Sequence, residues 1–258
     1  MSYSVRLRCS EEEWEGLLAD WSDDYPIQGV VEDDTGYQVF FASAPTAEKF
    51  ATTHSSTVEF APEQSHVWWD DWQPLLVGER FFLCPTNRDD PTPPGRLRLA
   101  MVGANVFGGG EHQTTQLCLE LLERVLRPGQ TVLDIGTGTG ILSAAARALG
   151  ASAVWACDVE PAAVTLAQQH AHVWQGSANS VRPGTADLVV CNIHLAVMRE
   201  ILPDLLRLSA PLLLSGFLTD QIPELTAGLS VLDRRERDGW CAVWATAPKP
   251  IEPIPNSS

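Results

Sequence analysis

The spacing of apolar positions changes along the chain, and the changes divide it. Residues 4–9 alternate apolar and polar, the period of a half-buried strand. Ser10 followed by Glu13 makes a capping-box pair, and Trp14, Leu17, Leu18 and Trp21 then recur at helical spacing. Residues 29–32 and 37–41, separated by Asp33-Asp34-Thr35-Gly36, predict a β-hairpin. A second helix is expected over 46–53 and a closing strand over 57–60. The order β-α-β-β-α-β is the ferredoxin-like, split-βαβ pattern, so residues 1–60 are expected to form a small α+β domain.

Residues 61–77 read as a linker. Trp68, Trp69 and Trp72 lie among Asp70 and Asp71, which suits a short helix over 62–74. A strand is expected over 78–85 and a loop over 87–95, where prolines and a glycine cluster. Strands and helices then alternate. Strands are predicted at 131–135, 153–157, just before Gly176, 186–191 and 212–215. Helices are predicted at 141–149, 161–170, 195–208 and 219–228. Two last strands, 229–235 and 240–245, flank a turn at Asp238-Gly239. Repeated βα units imply an α/β fold with a doubly wound, mostly parallel sheet over 78–248, and the closing pair supplies an antiparallel edge. The proline-containing stretch 249–258 is expected to be a disordered tail. Met101 and Met198 are expected in the core.

Charge then narrows the partners. The 258 residues carry 17 Lys and Arg against 33 Asp and Glu, a net charge of −16. That excludes a broad phosphate-binding surface, so no direct nucleic-acid partner is expected. Residues 1–65 hold three basic and thirteen acidic side chains. They present either a solvated acidic face or a docking surface for a basic partner. No stretch has the ~18 apolar residues of a membrane span, and the N-terminus lacks a signal core, which points to the cytoplasm. The six cysteines form no C-x-x-C pair, and no second His or Cys stands at ligand spacing from His112, so no metal is expected.

The densest chemical signal is Asp134-Ile135-Gly136-Thr137-Gly138-Thr139-Gly140. A strand delivers the chain into a glycine turn that opens a helix, and glycines let backbone approach a ligand closely. The spacing is G-x-G-x-G, not the G-x-G-x-x-G of dinucleotide binders, and Asp134 beside the turn would repel a pyrophosphate. An acid there suits a ligand with an ammonium group and no phosphate, such as S-adenosylmethionine. Asp158 ends the next strand, 24 residues on, where a carboxylate accepts both hydroxyls of a ribose; Glu160 is expected to point elsewhere.

The turn together with Asp158 resembles the class I S-adenosylmethionine-dependent methyltransferases. Residues 106–115 (VFGGGEHQTT) resemble the A-F-G-T-G-x-H-x-T-T signature of the PrmA family, which methylates ribosomal protein L11, and Cys191-Asn192-Ile193 resembles its A-N-[IL] segment. Weaker echoes are Asp71-Trp72, Gly78–Phe81, Ser215-Gly216 with Gln221, and Trp240. Two positions depart from the signature: Gly109 stands for its threonine and Val106 for its alanine.

The resemblance implies a cofactor, S-adenosylmethionine, held by Asp134, Gly136, Thr137, Gly138, Gly140, Asp158, Thr114, Ser177 and Asn192. It implies a catalytic set of Asn192, Phe107 and His112. Asn192 would orient the amine through its carbonyl oxygen, and Phe107 would lie in a lid. His112 would cap the following helix or steer a proton, and Thr114 would cap that helix or touch the cofactor. Gly176 and Ser177 would hold the adenine, with His194 packed at the rim. The implied partner is ribosomal protein L11, recognised through lysines by the small domain of a monomeric enzyme. Two alternatives stay open: the same chemistry on another protein or a small amine, and a non-catalytic S-adenosylmethionine-binding module.

Overall fold

The alternation near the N-terminus builds a four-stranded antiparallel sheet. Its strands are β1 (Ser2–Leu7), β2 (Ile27–Asp33), β3 (Gly36–Phe41) and β4 (Val58–Ala61), in the order β2-β3-β1-β4. Helix α1 (Ala44–Thr53) starts at Ser43, whose hydroxyl accepts the Thr46 N–H at 3.3 Å. Every second residue of β1 and β3 faces this helix, so Val5, Leu7, Tyr37, Val39 and Phe41 pack with Phe50 in one small core. The computed structural model describes residues 2–8, 27–33, 36–41, 43–54, 58–61, 72–103 and 106–246, in two units spanning 1–70 and 71–258. The helix expected after Ser10, nearly all of the one expected over 62–74 and the tail 249–258 lie outside the described residues.

The second unit opens with a three-stranded sheet of β5 (Leu75–Val77), β6 (Phe81–Pro85) and β7 (Leu97–Met101). Strand β5 falls in the stretch read as linker, and the strand expected over 78–85 begins only at Phe81. Residues 78–80 instead make a turn whose Glu79 and Arg80 N–H groups both donate to the Glu123 carboxylate at 2.9–3.1 Å.

The larger sheet contains β8 (Thr131–Ile135), β9 (Ala153–Asp158), β10 (His172–Gln175), β11 (Leu188–Asn192), β12 (Leu212–Leu218), β13 (Ser230–Arg237) and β14 (Trp240–Thr246). Between them run helices α2 (Gln113–Val125, which precedes β8), α3 (Ile141–Ala148), α4 (Pro161–Ala167), α5 (Leu195–Arg207) and α6 (Ile222–Leu225). The strand order is β10-β9-β8-β11-β12-β14-β13, parallel through β12. Strand β14 then inserts antiparallel between β12 and β13. The hairpin turn explains the tight return: Asp238 and Gly239 have φ of 51° and 80°, the two positive values of a type I′ turn.

Two helices come out shorter than their patterns. Helix α4 stops at Ala167, not 170, and the Arg147 guanidinium reaches the Gln169 and His170 carbonyls left beyond it. Residues 219–228 hold a single 3₁₀ turn and the four-residue α6.

Both faces of this sheet are buried. Val132, Leu188, Val190 and Leu213 pack beneath α2 and α3, while Leu133, Ile135, Val189 and Leu214 pack beneath α5 and α6. This is why the strands read as unbroken apolar runs and not as alternating ones. Met101 and Met198 are in these cores. The five described cysteines are buried and unbridged. No helix among the described residues is long and apolar enough to cross a membrane. From β8 the chain builds outward through β9 and β10, then returns to place β11 on the other side of β8. A crevice therefore opens at the carboxyl ends of β8 and β11, where such sheets bind ligands.

Candidate active site

A cavity of about 480 Å³ fills that crevice. Residues 136–138 follow β8 into it, 158–160 follow β9, Gly176 and Ser177 follow β10, and Asn192 ends β11. Residues 106–108 border it from the loop before α2. Nine of the eleven anticipated site residues border it. Asn192, Phe107, His112, Gly136, Thr137, Gly138, Asp158, Thr114 and Ser177 all line the cavity, whereas Asp134 and Gly140 do not.

Asp134 is turned inward, 1% exposed, on the α2–α3 side of β8. Its Oδ2 accepts the hydroxyls of Thr137 and Ser143, each at 2.7 Å. Burial pushes its carboxyl above the ordinary range, and the two hydroxyls oppose that rise. The residue thus braces the turn from behind and does not border the cavity, and its Oδ1 is buried with no hydrogen-bond partner among the described residues. Gly140 caps α3 in the left-handed region (φ 86°), and a Cβ there would stand 3.0 Å from the Ala167 Cα. Close packing on α4 therefore requires this glycine.

Asp158 is the outward-facing acid. Its Oδ2 accepts the Gly138 N–H at 2.9 Å and its Oδ1 the Glu160 N–H at 3.0 Å. A carboxylate has about four lone-pair sites, so each oxygen keeps one for a ligand hydroxyl. Glu160, expected to point elsewhere, is exposed and is also among the residues bordering the cavity. Among the described residues no lysine or arginine lines the cavity, so a phosphate would find no cation among them. The donors present fit S-adenosylmethionine: paired acceptors for a ribose, a glycine turn, and no phosphate site.

At the β11 end, Asn192 is 7% exposed, and its amide nitrogen donates to the Thr115 hydroxyl at 3.4 Å. Its Oδ1 is buried and has no hydrogen-bond partner among the described residues. Thr115 was legible only as the last residue of the 106–115 motif.

His112, not Thr114, is the N-cap of α2. Its Nδ1 accepts the Thr114 N–H at 3.3 Å and lies 2.8 Å from the Thr114 hydroxyl. A backbone N–H can only donate, so Nδ1 is the acceptor and the neutral ring carries its proton on Nε2. Burial lowers the His112 pKa, which keeps this form. The ring meets Phe107 and Trp240 edge-on, at centroid distances of 5.3 and 5.0 Å. His112 is therefore a loop anchor that already uses its one basic nitrogen. His194 does the same for α5, accepting the Ala196 N–H at 3.4 Å, and lines the cavity.

The Gly109 departure has a structural counterpart. A Cβ there would overlap the Trp72 indole and stand 2.6 Å from the Glu111 carboxylate, so the loop as folded leaves no room for a threonine. Glu111 Oε2 is buried without a partner, and burial raises the Glu111 pKa. Among the described residues, no group of three or more His, Cys, Asp or Glu side chains could hold a metal ion.

Known proteins place this geometry. The family profile described as "Ribosomal protein L11 methyltransferase (PrmA)" matches residues 10–248. A protein of that name from Symbiobacterium thermophilum is 36% identical over 199 residues, 71% of this chain and 66% of its own length. One from Burkholderia lata is 33% identical over 260 aligned residues, 88% of this chain and 86% of its own. Among solved structures, a ribosomal protein L11 methylase from Lactobacillus delbrueckii subsp. bulgaricus superposes with a TM-score of 0.62 at 24% identity. It covers 68% of this chain and 99% of that one. With the matched profile spanning nearly all of the described residues, the glycine turn, the 106–115 loop and the Asn192 corner, the chain belongs to the ribosomal protein L11 methyltransferase (PrmA) family.

Proposed function

We propose that this chain is a protein N-methyltransferase that uses S-adenosylmethionine to methylate lysine ε-amines, and the N-terminal α-amine, of ribosomal protein L11. The observation that carries the reading is Asn192: its amide nitrogen is held by Thr115 while its buried carbonyl oxygen lacks a donor. An unmade hydrogen bond of this kind costs stability and marks a place for a ligand N–H.

When bound, S-adenosylmethionine supplies a methyl group activated by its sulfonium. The chain's own residues do the rest. Asp158 would offer its two remaining lone pairs to the ribose hydroxyls, and Gly136, Thr137, Gly138, Ser177 and Thr114, which line the same cavity, would help hold the cofactor. Asn192 Oδ1 accepts one N–H of the incoming amine and so fixes the direction of its lone pair, which is the larger part of catalysis for such a transfer. Among the described residues the acids that line the cavity, Asp158 and Glu160, follow β9, and none stands at the Asn192 corner to favour an ammonium. Desolvation under Phe107 lowers the amine's pKa toward the neutral, reactive form. Because a free lysine has a pKa near ~10.4, the rate should rise across roughly pH 7–9. The acidic stretch 1–65 would attract a lysine-rich client and makes the small N-terminal unit the recognition element.

The test is transfer of a tritiated methyl group into whole lysate, followed by identification of the labelled band. Label on lysines of ribosomal protein L11 supports the reading. Label on another protein or a small amine redirects the substrate, and cofactor binding without transfer makes the chain a binding module.

A further inference from the structure

The loop over the cavity is fastened from a residue that does not line it. Thr139 is 2% exposed and lies outside the cavity wall. Its N–H donates to the Phe107 carbonyl at 3.1 Å, and its hydroxyl donates to the Gly108 carbonyl at 2.5 Å. Next to it, a Cβ on Gly138 would overlap the same Phe107 carbonyl, so turn and loop meet backbone to backbone. The Phe107 ring is 54% exposed, with one edge contact to His112, so burial of the ring does little to hold it. Two hydrogen bonds, one backbone and one hydroxyl, set where this residue stands.

We propose that Thr139 is a positioning residue: it latches residues 107–108 to the cofactor turn, so that Phe107 covers the cavity while the turn keeps its shape. This deepens the methyl-transfer reading and rests on it. Losing the hydroxyl removes no contact to cofactor or amine. It frees the loop, and the effect should appear as faster ligand release and slower turnover, with the KM for the protein client unchanged.

The experiment compares Thr139→Val, which keeps the shape and loses the hydroxyl, with Thr139→Ser, which keeps the hydroxyl, both in the full chain. Hydrogen exchange is followed in the ligand-free protein at the residue-139 amide and at amides 108–110. The release rate of S-adenosylmethionine and the kcat for methyl transfer are measured beside it. In the valine variant exchange at these amides should rise about fivefold, the worth of one hydrogen bond, with release accelerated and kcat lowered by a similar factor. Serine should restore all three. Wild-type exchange in the valine variant would overturn the latch, as would a rise shared equally by amides throughout the sheet, which means general destabilisation. Faster loop exchange with unchanged release and kcat would overturn the positioning role. If the wild-type protein transfers no methyl group, the proposed function fails separately, and the exchange data still decide whether the latch exists.

Discussion

The ends of β8 and β9 carry the same residue type in neighbouring parallel strands, yet the two carboxylates do opposite work. Asp134 is sealed behind the glycine turn and accepts two side-chain hydroxyls. Asp158 borders the cavity and accepts two backbone N–H groups. The first holds two hydroxyls on Oδ2, while its Oδ1 is buried with no hydrogen-bond partner among the described residues. The second shapes the turn with one lone pair on each oxygen and, at the cavity edge, has one more on each that a ligand hydroxyl could meet. Proximity to a glycine motif is therefore a poor guide to contact with what the motif binds. The face of the strand is a better one.

Removing the inner acid should give the largest effect of the two, and it should appear in folding. Asp134→Ala leaves the Thr137 and Ser143 hydroxyls without their shared acceptor in a buried site, a loss of about 2–4 kcal/mol in urea or thermal unfolding. Asp134→Asn keeps an acceptor and should lose less. If Asp134→Ala folded normally but lost cofactor affinity, the contrast would be reversed. Asn192→Ala sharpens the picture on the ligand side: turnover should fall ~10²-fold with cofactor affinity nearly intact, because only amine alignment is lost. Steady-state kinetics beside calorimetry read both quantities.

Asp158→Ala should weaken S-adenosylmethionine binding by about 1.5–3 kcal/mol, the range for hydrogen bonds to a charged group. Its unfolding midpoint should move far less than that of Asp134→Ala, and unchanged affinity would remove the ribose assignment. The smallest effect concerns His112. Burial holds its folded pKa below the ordinary 6.5 of a histidine, so the unfolded chain takes up the proton first as pH falls. Stability attached to the neutral cap should be complete above pH 6.5 and decline below it. An Asn in place of His112 also caps but does not titrate, and should flatten that decline by about 1 kcal/mol or less in unfolding curves taken between pH 7 and 5. Curves of equal slope would mean that the cap does not sense pH.

Much of the α/β unit was readable because its signals are local. The apolar runs at 131–135 and 186–191, the glycine turn and the acid 24 residues later predict strands, a turn and a carboxylate at the end of the next strand without knowledge of neighbours. The motif at 106–115 likewise announced a loop running into α2. Other features gave no such signal. Helix α4 was over-read because residues 168–170 look helical by composition, while the Arg147 guanidinium takes up two carbonyls beyond its end. Strand β5 was absorbed into a linker because three residues are too few to show a period. Glu160 looked like a bystander and borders the cavity.

What the amino-acid order by itself determined is the succession of elements and the chemistry delivered to each strand end. Propensity, period and turn geometry act over a few residues, and both are written there. Tertiary structure alone decided which face each side chain took and which distant groups met. In a strand buried on both sides no polar alternation marks inside from outside, so Asp134 could be assigned only once α2 and α3 covered its face. The Thr139 bonds to residues 107 and 108, the Trp72 ring beside Gly109 and the insertion of β14 next to β12 join segments far apart in the chain. Such contacts depend on how finished elements dock, and no local window of sequence contains both partners.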